Sequence, residues 1–196
     1  VDTQFNGYHF YKSQVLITEG ETLMKEGDFL KAVGKLQKAL VAVHPQFEPE
    51  DSLDLPDNLQ FSDPLTASRA MYFKCFALER ATSKNPTLKN LRILREHINF
   101  SISLLEAIQS QQISDATLRT NTTARQIFAL GIENAALLHA GTGDEKYLEA
   151  AFSYFQKSKG ALLEEYLKEK HTLANDSSVL TQKIEALKEE RFFIKQ

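Results

Sequence analysis

Two short amphipathic segments joined by a glycine turn, between Leu16 and Pro45, constrain the fold of this chain more than any other feature. The residues that share one face of the first segment are Leu16, Gly20 and Leu23, and those that share one face of the second are Ala32, Leu36 and Ala39. Their spacing is that of an α-helix and not of a strand. The stretch therefore predicts two helices folded back on each other, and the second ends at Pro45 because proline cannot continue the hydrogen-bond ladder.

The order of large and small residues in this stretch predicts how the two helices pack. Gly20 allows the helix backbones to approach closely, Leu36 is large enough to fill the space between them, and Gly27 lies where the chain must reverse. Tyr11 and Val15 continue the apolar side of the first helix toward its N-terminus. The order resembles one tetratricopeptide repeat, a helix–turn–helix unit of about 34 residues. Because one such unit cannot bury its own apolar face, neighbouring hairpins must stack on it.

The rest of the chain supplies those neighbours. We predict an all-α, tetratricopeptide-like solenoid of helical hairpins, with about seven antiparallel helices in a single domain over residues 1–196. Its segments are a first repeat at 8–45, an acidic, proline-rich connection at 46–63, a second helix pair at 64–111, a third helix pair at 114–171 and a trailing helix at 176–196. The predicted helices are Tyr8–Glu26, Phe29–Val43, Pro64–Ser83, Leu88–Gln111 and Ser114–Ala140, followed by a turn at Gly141–Asp144 and a further helix. The order small, large, small returns at Ala151, Phe155 and Ser158.

Local signals place several boundaries. Asp28 and Asp63 precede helices as N-caps, and Asn85-Pro86 ends the third helix. Residues 44–63 hold prolines, acidic residues and isolated apolar side chains, so we expect an irregular connection pinned by those apolar side chains.

Composition excludes several classes of protein. With 196 residues and a formal net charge of −3, the chain has the size of one domain and lacks the basic excess of a nucleic-acid binder. No apolar run approaches the ~18 residues of a membrane span. A single cysteine excludes an internal disulfide and a cysteine-based zinc site, and no cofactor is expected. We expect a cytoplasmic protein without a signal peptide, although a start at Val1 fits a piece excised from a longer chain.

Four segments resemble a known family. The segments TGDEKYLEAAFSYFQKSKGALLEEYL and DSSVLTQKIEALKEE resemble the tetratricopeptide region just upstream of the peptidase domain in CHAT proteins, which are caspase-like bacterial proteins. The segments LQKALVAVHPQFEPEDSL and ASRAMYFKCFALERATSKNPTLKNL resemble the repeat helix, connection and helix pair of Bacteroidetes-type members. The likeness extends from about Val15 to Glu190, and QKSKGALLEEYL is its most specific part.

The resemblance implies a role beside an enzyme. In that family a His and a Cys of the peptidase domain perform the chemistry, and no position here matches either motif, so no catalytic residue is carried over. The implied role is that of a sensing or regulatory region that binds a protein or peptide, with a peptidase domain following in cis.

The cysteine and the histidines could in principle take part in catalysis or metal binding, but a structural interpretation is simpler for each. Cys75 lies in a helix rich in Phe, Tyr and Ala, which favours a buried structural cysteine over a nucleophile. The histidines do not pair at i+3 or i+4, so no metal site is predicted; they are His9, His44, His97, His139 and His171. We interpret His97 as part of a solvated helix edge, and His139 lies in a last helical turn, where positive charge is favourable.

Charged groups also allow a binding interpretation. The basic residues Lys84, Lys89, Arg92, Arg95, Arg119 and Arg125 could contact nucleic acid, but a charged outer helix face is favoured. The acidic residues Glu48, Glu50, Asp51, Asp54 and Asp57 could dock a basic partner, but solvation of a loop is favoured. Gly141–Asp144 lacks the Lys-Ser/Thr and the strand of a phosphate loop, so it predicts a hairpin turn.

Two surfaces remain as candidates for partner binding. In repeat proteins of this kind the first helices of each pair line a concave groove, where some members grip a peptide carboxylate with Lys and Asn. The comparable positions here carry Ile17 and Glu21, so that clamp is not predicted. The last helix ends in Phe192-Phe193-Ile194, which favours packing onto the preceding helix, with a dimer contact as the alternative.

We therefore predict a non-enzymatic protein–protein interaction scaffold, the regulatory repeat region upstream of a caspase-like peptidase domain. The alternative is a free-standing adaptor or self-association module. An enzyme that uses Cys75 or a helix-borne metal is a third class, and the sequence names no catalytic, cofactor-binding, metal-binding or partner-binding residue.

Overall fold

The computed structural model describes residues 2–110 and 114–160, with the backbone alone for residues 2–8 and 114–122. Contacts within the chain define two compact units, Val1–Ser158 and Lys159–Gln196, and the architecture below is that of the first. The predicted trailing helix at 176–196, its Phe192-Phe193-Ile194 end and residues 161–171 of the third pair lie outside the described residues.

The regular elements in the described part of the chain are all helices, with no strand among them, which confirms the all-α class. Its helices are α1 (Asp2–Glu26), α2 (Phe29–Val43), α3 (Pro64–Lys84), α4 (Leu88–Ser110) and α5 (Ser114–Thr142), followed by α6, of which residues 146–160 are described. Three boundaries differ from prediction. Helix α1 begins at Asp2 rather than Tyr8, α3 ends at Lys84 rather than Ser83, and α5 continues to Thr142 rather than ending at Ala140.

Helix α3 is the centre of the arrangement, as predicted. It contacts α2 and α4, its neighbours along the chain, and also α1 and α5, the first helices of the preceding and following hairpins. Most of its buried residues are small, which lets helices pack on several sides of it; the larger ones are Met71, Lys74 and Leu78. Asp63 caps it as predicted, since its carboxylate accepts a hydrogen bond from Thr66 N at 3.1 Å.

The turn between α1 and α2 depends on Gly27, whose φ of +83° is strained for any other residue. Gly27 N donates to Met24 O at 3.1 Å and Asp28 N donates to Leu23 O at 2.9 Å, the two bonds of a Schellman motif. Asp28 stands at the N-cap position of α2, but its side chain does not cap that helix. Its carboxylate pairs instead with Lys31 Nζ at 2.7 Å, so the side-chain cap predicted there is wrong.

Helices α1 and α2 approach closely at Gly20. A Cβ added there would lie 2.8 Å from Leu36 Cγ, and Leu36 is fully buried, as the order of large and small residues predicted. The rest of the buried side of α1 differs from prediction. Ile17 is fully buried, whereas Tyr11 and Val15 are exposed. The predicted apolar side of α1 is therefore displaced around the helix.

Helix α6 also presents a different side from the one predicted. Tyr154 is buried against Gly131 of α5, and Tyr147 packs with apolar residues of α4 and α5. Phe155 is 45 % exposed, so it does not fill an interhelical space as Leu36 does. The order small, large, small at Ala151–Ser158 therefore does not mark the buried face of α6.

The connection between α2 and α3 is irregular and pinned to the core, as predicted. Phe47 and Phe61 are buried, and each ring packs against the His44 imidazole in a T-shaped arrangement, with centroid distances of 5.8 and 4.9 Å. Ser62 N and Ser62 Oγ both donate to Val43 O, at 2.8 and 3.0 Å, which closes the connection where it began.

We expect Gly20→Ala to lower the free energy of unfolding by about 1–2 kcal/mol, measured by urea unfolding followed by circular dichroism. Overpacking costs about 1–3 kcal/mol, and replacing a helix-interior glycine with alanine returns up to about 1 kcal/mol. Gly34→Ala is the matched control, because a Cβ at Gly34 meets nothing within 4 Å. The control should gain about 0.5–1 kcal/mol, and equal changes in the two variants would contradict the close approach.

Candidate functional site

Side chains of α1, α3 and α5 meet around Tyr72. Arg69 donates to Gln14 Oε1 at 3.2 Å and to Glu21 Oε1 at 2.6 Å, which joins α3 to α1. The Tyr72 hydroxyl donates to Gln126 Oε1, which joins α3 to α5. The surface that we call the first-helix face consists of Gln14, Glu21, Arg69, Tyr72, Phe73, Phe76 and Gln126. It runs across the first helix of three successive hairpins.

Three half-buried rings form the apolar part of the first-helix face. The ring of Tyr72 lies 5.0 Å from that of Phe73 and 4.8 Å from that of Phe76, and the Arg69 guanidinium lies 5.7 Å from the Phe73 ring. Burial raises the pKa of Tyr72, and the carboxylate of Glu21 acts in the same direction. The phenol therefore stays neutral. Half-buried Tyr, Phe and Arg side chains with hydrogen-bonding groups beside them are typical of the centres of protein interfaces.

The structure places the two predicted groove positions differently. Glu21 lies on the first-helix face, where it is paired with Arg69. Ile17 is fully buried, so its predicted position in the groove is wrong. The residues that α3 contributes to the first-helix face were not identified from the sequence as a binding surface; they are Arg69, Tyr72, Phe73 and Phe76. The signal that could have found them is the run of aromatic residues beside an arginine in a central helix.

A fully buried lysine lies under the connection, and sequence reasoning missed it. Lys74 Nζ donates to Gln37 Oε1 of α2 and, at 3.2 Å, to the carbonyl oxygen of Asp54 in the connection. Gln37 Nε2 donates to the carbonyl oxygens of Asp51 and Asp54, at 3.2 and 3.1 Å. Burial lowers the pKa of Lys74 to about 8, although the nearby carboxylates raise it. The network fastens the connection to α2 and α3.

Two other groups beside Lys74 are also buried. His97 Nδ1 donates to Ile93 O at 2.8 Å, and its Nε2 has no hydrogen-bond partner. Burial and the positive charge of Lys74 lower the pKa of His97 to about 4, so the ring is neutral. The predicted solvated edge is wrong at His97, because the core extends under this part of α4. Cys75 is buried as predicted, and burial raises the pKa of its thiol to about 12.

The remaining histidines have local roles. His44 Nε2 and Asn58 Oδ1 share a hydrogen bond of 3.2 Å within the connection. His139 lies in the last turn of α5, where Nδ1 donates to Asp144 O at 3.2 Å. His9 is exposed on α1, and His171 lies outside the described residues. Across residues 2–110 and 114–160, no group of three or more His, Cys, Asp or Glu side chains could hold a metal ion.

The predicted basic residues do not share one partner. Lys84 Nζ lies 4.8 Å from the centroid of the Phe29 ring in the first hairpin. The Arg95 guanidinium lies 4.7 Å from the centroid of the Tyr147 ring in α6. The side chain of Arg119 is not among those described. Lys84 and Arg95 therefore cover aromatic rings at different places.

The acidic connection and the glycine turn are structural. The Asp54 carboxylate accepts hydrogen bonds from the backbone N–H groups of Glu50 and Asp51, each at 2.8 Å, and so shapes a turn. Gly143 has a φ of +71°, and Asp144 accepts a hydrogen bond from Lys146 N at 3.1 Å as α6 begins. Gly143 and Asp144 therefore turn the chain from α5 into α6. The predicted hairpin turn is present, but it begins at Gly143 rather than Gly141 because α5 continues to Thr142.

A cleft of about 530 Å³ lies beside the Gly27 turn. We call it the turn cleft; its apolar lining includes Phe29, Leu30, Leu53, Leu78, Ala81 and Ile93, and its polar lining includes Lys84 and Asn90. These residues come from the start of α2, the connection, the end of α3 and the start of α4. No local pattern could assemble them, because they are far apart in sequence.

Comparison with protein-family models, with the curated proteins and with the solved structures finds no match for this chain. In the part of the chain that is described, none of the helices has the length and apolar character needed to cross a membrane.

We expect Lys74→Met to remove a rise in stability at alkaline pH. The pKa of Lys74 is about 8 in the folded chain against an ordinary value of 10.5, so the unfolded chain binds more protons between these values. The contribution of Lys74 is least favourable below pH 8 and improves by about 2 kcal/mol by pH 10. Because the raised pKa of Cys75 acts in the opposite direction above about pH 9, the test is the difference in the free energy of unfolding between the parent and Lys74→Met, measured with urea, which should change by this amount between pH 8 and pH 10. The exposed control on α2, Lys38→Met, should show no such pH-dependent difference from the parent. Parallel pH curves for Lys74→Met and the parent would contradict the assignment.

Proposed function

We propose that this chain is a non-enzymatic protein-binding scaffold and that the first-helix face is its binding surface. The observation that carries the proposal is the meeting of α1, α3 and α5 around Tyr72. Half-buried rings lie there beside an arginine and amide groups, which can bind apolar side chains and backbone groups of a peptide.

The contacts between helices support a tetratricopeptide-like solenoid as the architecture of the scaffold. Each described hairpin contacts the next through its first helix, since α1 contacts α3 and α3 contacts α5. This is the arrangement expected when hairpins of similar design stack in one direction. By the resemblance given above, we propose that the region regulates or targets a caspase-like peptidase attached in cis, in a cytoplasmic bacterial protein.

The environment of the nucleophilic and basic side chains supports a scaffold rather than an enzyme. Cys75 and Lys74 are fully buried, and His97 is buried beside them. A thiol with a pKa raised to about 12 has almost no thiolate at neutral pH. A reacting group also needs access to substrate, which these side chains lack.

The alternative is a free-standing adaptor or self-association module, and one observation favours it. Leu148 and Phe152 lie one turn apart on α6 and are 48 % and 61 % exposed. Two large apolar side chains exposed together can pair with the same surface of a second copy. Under this alternative, Phe152→Glu should shift the mass measured by sedimentation equilibrium from dimer to monomer.

Photo-crosslinking tests the first-helix face. We expect p-benzoylphenylalanine at Phe76 to form a specific adduct with a partner protein in the cells that express the chain. The same photoreactive residue at Lys38, which is exposed on α2, is the control and should form none. Adducts at Lys38 alone, or equally at both sites, would overturn the assignment of the face.

The length of the native polypeptide tests the attached peptidase. An antibody against this chain should detect a product much larger than 22.2 kDa in source cells. A product near 22.2 kDa, with no larger precursor in a pulse-chase experiment, would reject the attached peptidase and leave the adaptor.

A further inference from the structure

The turn cleft has the dimensions and lining of a small-molecule site. Its volume of about 530 Å³ falls within the range of ligand pockets, roughly 300–1,000 Å³. Leu78 is buried at its floor, and Leu53 and Ile93 are half-buried beside it. Leu30 is 73 % exposed at its rim, so the cleft opens to solvent beside an apolar edge.

One cation of the cleft lacks a carboxylate partner among the described residues. Lys31 Nζ is bound by the Asp28 carboxylate at 2.7 Å, so these two charges neutralise each other. Lys84 Nζ lies 4.8 Å from the Phe29 ring centroid and forms no ion pair with a described side chain. The lining therefore combines an aliphatic floor with a single unbalanced positive charge.

The backbone around the cleft also favours an anion. Phe29, Leu30 and Lys31 line the cleft and are the first residues of α2, whose first turn is not capped by Asp28. The N-terminus of a helix carries a partial positive charge. This contribution adds to that of Lys84. A ligand with two negative charges would leave one of them without a positive partner, and a ligand with a cationic group would leave that group without a negative partner.

We propose that the turn cleft binds a monocarboxylate with a single apolar chain, with the chain against Leu78 and Ile93 and the carboxylate at Lys84. Because α2, the connection, α3 and α4 all contribute to the cleft, the bound ligand bridges the two hairpins. Binding to the folded chain alone then raises its stability as ligand concentration rises. This site is independent of the first-helix face, with which it shares no residue.

Calorimetric titration of the full chain with hexanoate, octanoate and decanoate tests the proposal. Affinity should rise about fourfold for each added methylene until the cleft is filled. Nonyltrimethylammonium, which has the same nine-carbon chain as decanoate and the opposite charge, should bind at least about tenfold more weakly than decanoate. The absence of saturable decanoate binding, or equal binding of decanoate and nonyltrimethylammonium, would overturn the proposal.

Variants locate the site. Lys84→Gln should weaken decanoate binding about tenfold, while Lys89→Gln, an exposed lysine of α4 that does not line the cleft, should leave it unchanged. Ala81→Phe should abolish binding by filling the cleft, with its fold checked by circular dichroism. If Ala81→Phe does not fold, Leu30→Glu at the exposed rim should weaken binding by repelling the carboxylate. Unchanged affinity in Lys84→Gln and in the cleft variant would place the ligand elsewhere and reject the site.

Discussion

The close approach of α1 and α2 at Gly20 determines how the rest of the structure stacks. Leu36 occupies the space that a side chain at position 20 would fill, so the two helices form a thin hairpin with one broad apolar side. That side must be covered, and α3 covers it. The same kind of close contact occurs later in the chain, where the Tyr154 side chain packs against Gly131 and the Leu88 side chain packs against Gly141. Pairing of a helical glycine with a large side chain therefore joins helices in both halves of the described structure.

The buried Lys74 explains why a long irregular connection can be ordered. An ammonium group buried in an apolar core is costly unless its hydrogen bonds are made. Here the acceptors are Gln37 Oε1 and the carbonyl oxygen of Asp54. The connection thus supplies a carbonyl acceptor to the lysine. In return, Lys74 and Gln37 donate hydrogen bonds to backbone carbonyl groups of the connection. Each makes the burial of the other possible.

Helix α3 supplies both of the candidate binding regions. It contributes Arg69, Tyr72, Phe73 and Phe76 to the first-helix face. It contributes Leu78, Ala81, Thr82 and Lys84 to the turn cleft. The two regions differ in chemistry. The face presents rings and hydrogen-bonding groups across three helices, which suits an extended polypeptide. The cleft presents an aliphatic floor and one cation, which suits a small ligand.

The sequence by itself determined the helices, most of their ends and the first hairpin. These features depend on local causes: the spacing of apolar residues, the Asp63 cap, the positive φ at Gly27 and the prolines after α2 and α3. Leu36 and Gly20 could be paired in advance because their sizes are complementary across a short turn. These are properties of neighbouring residues, so a single sequence reveals them.

Only the tertiary structure decided which sides of the helices are buried and where the candidate sites lie. Apolar residues occur on several sides of α1, so their spacing did not distinguish the buried Ile17 from the exposed Tyr11 and Val15. Lys74 and His97 are polar residues that the sequence would place at the surface, but both are buried. At Lys74 the burial depends on Gln37 and the connection, which supply the acceptors for its ammonium group. The turn cleft likewise exists only where four distant segments meet. Burial depends on what packs against a residue, and a pattern within one helix does not contain that information.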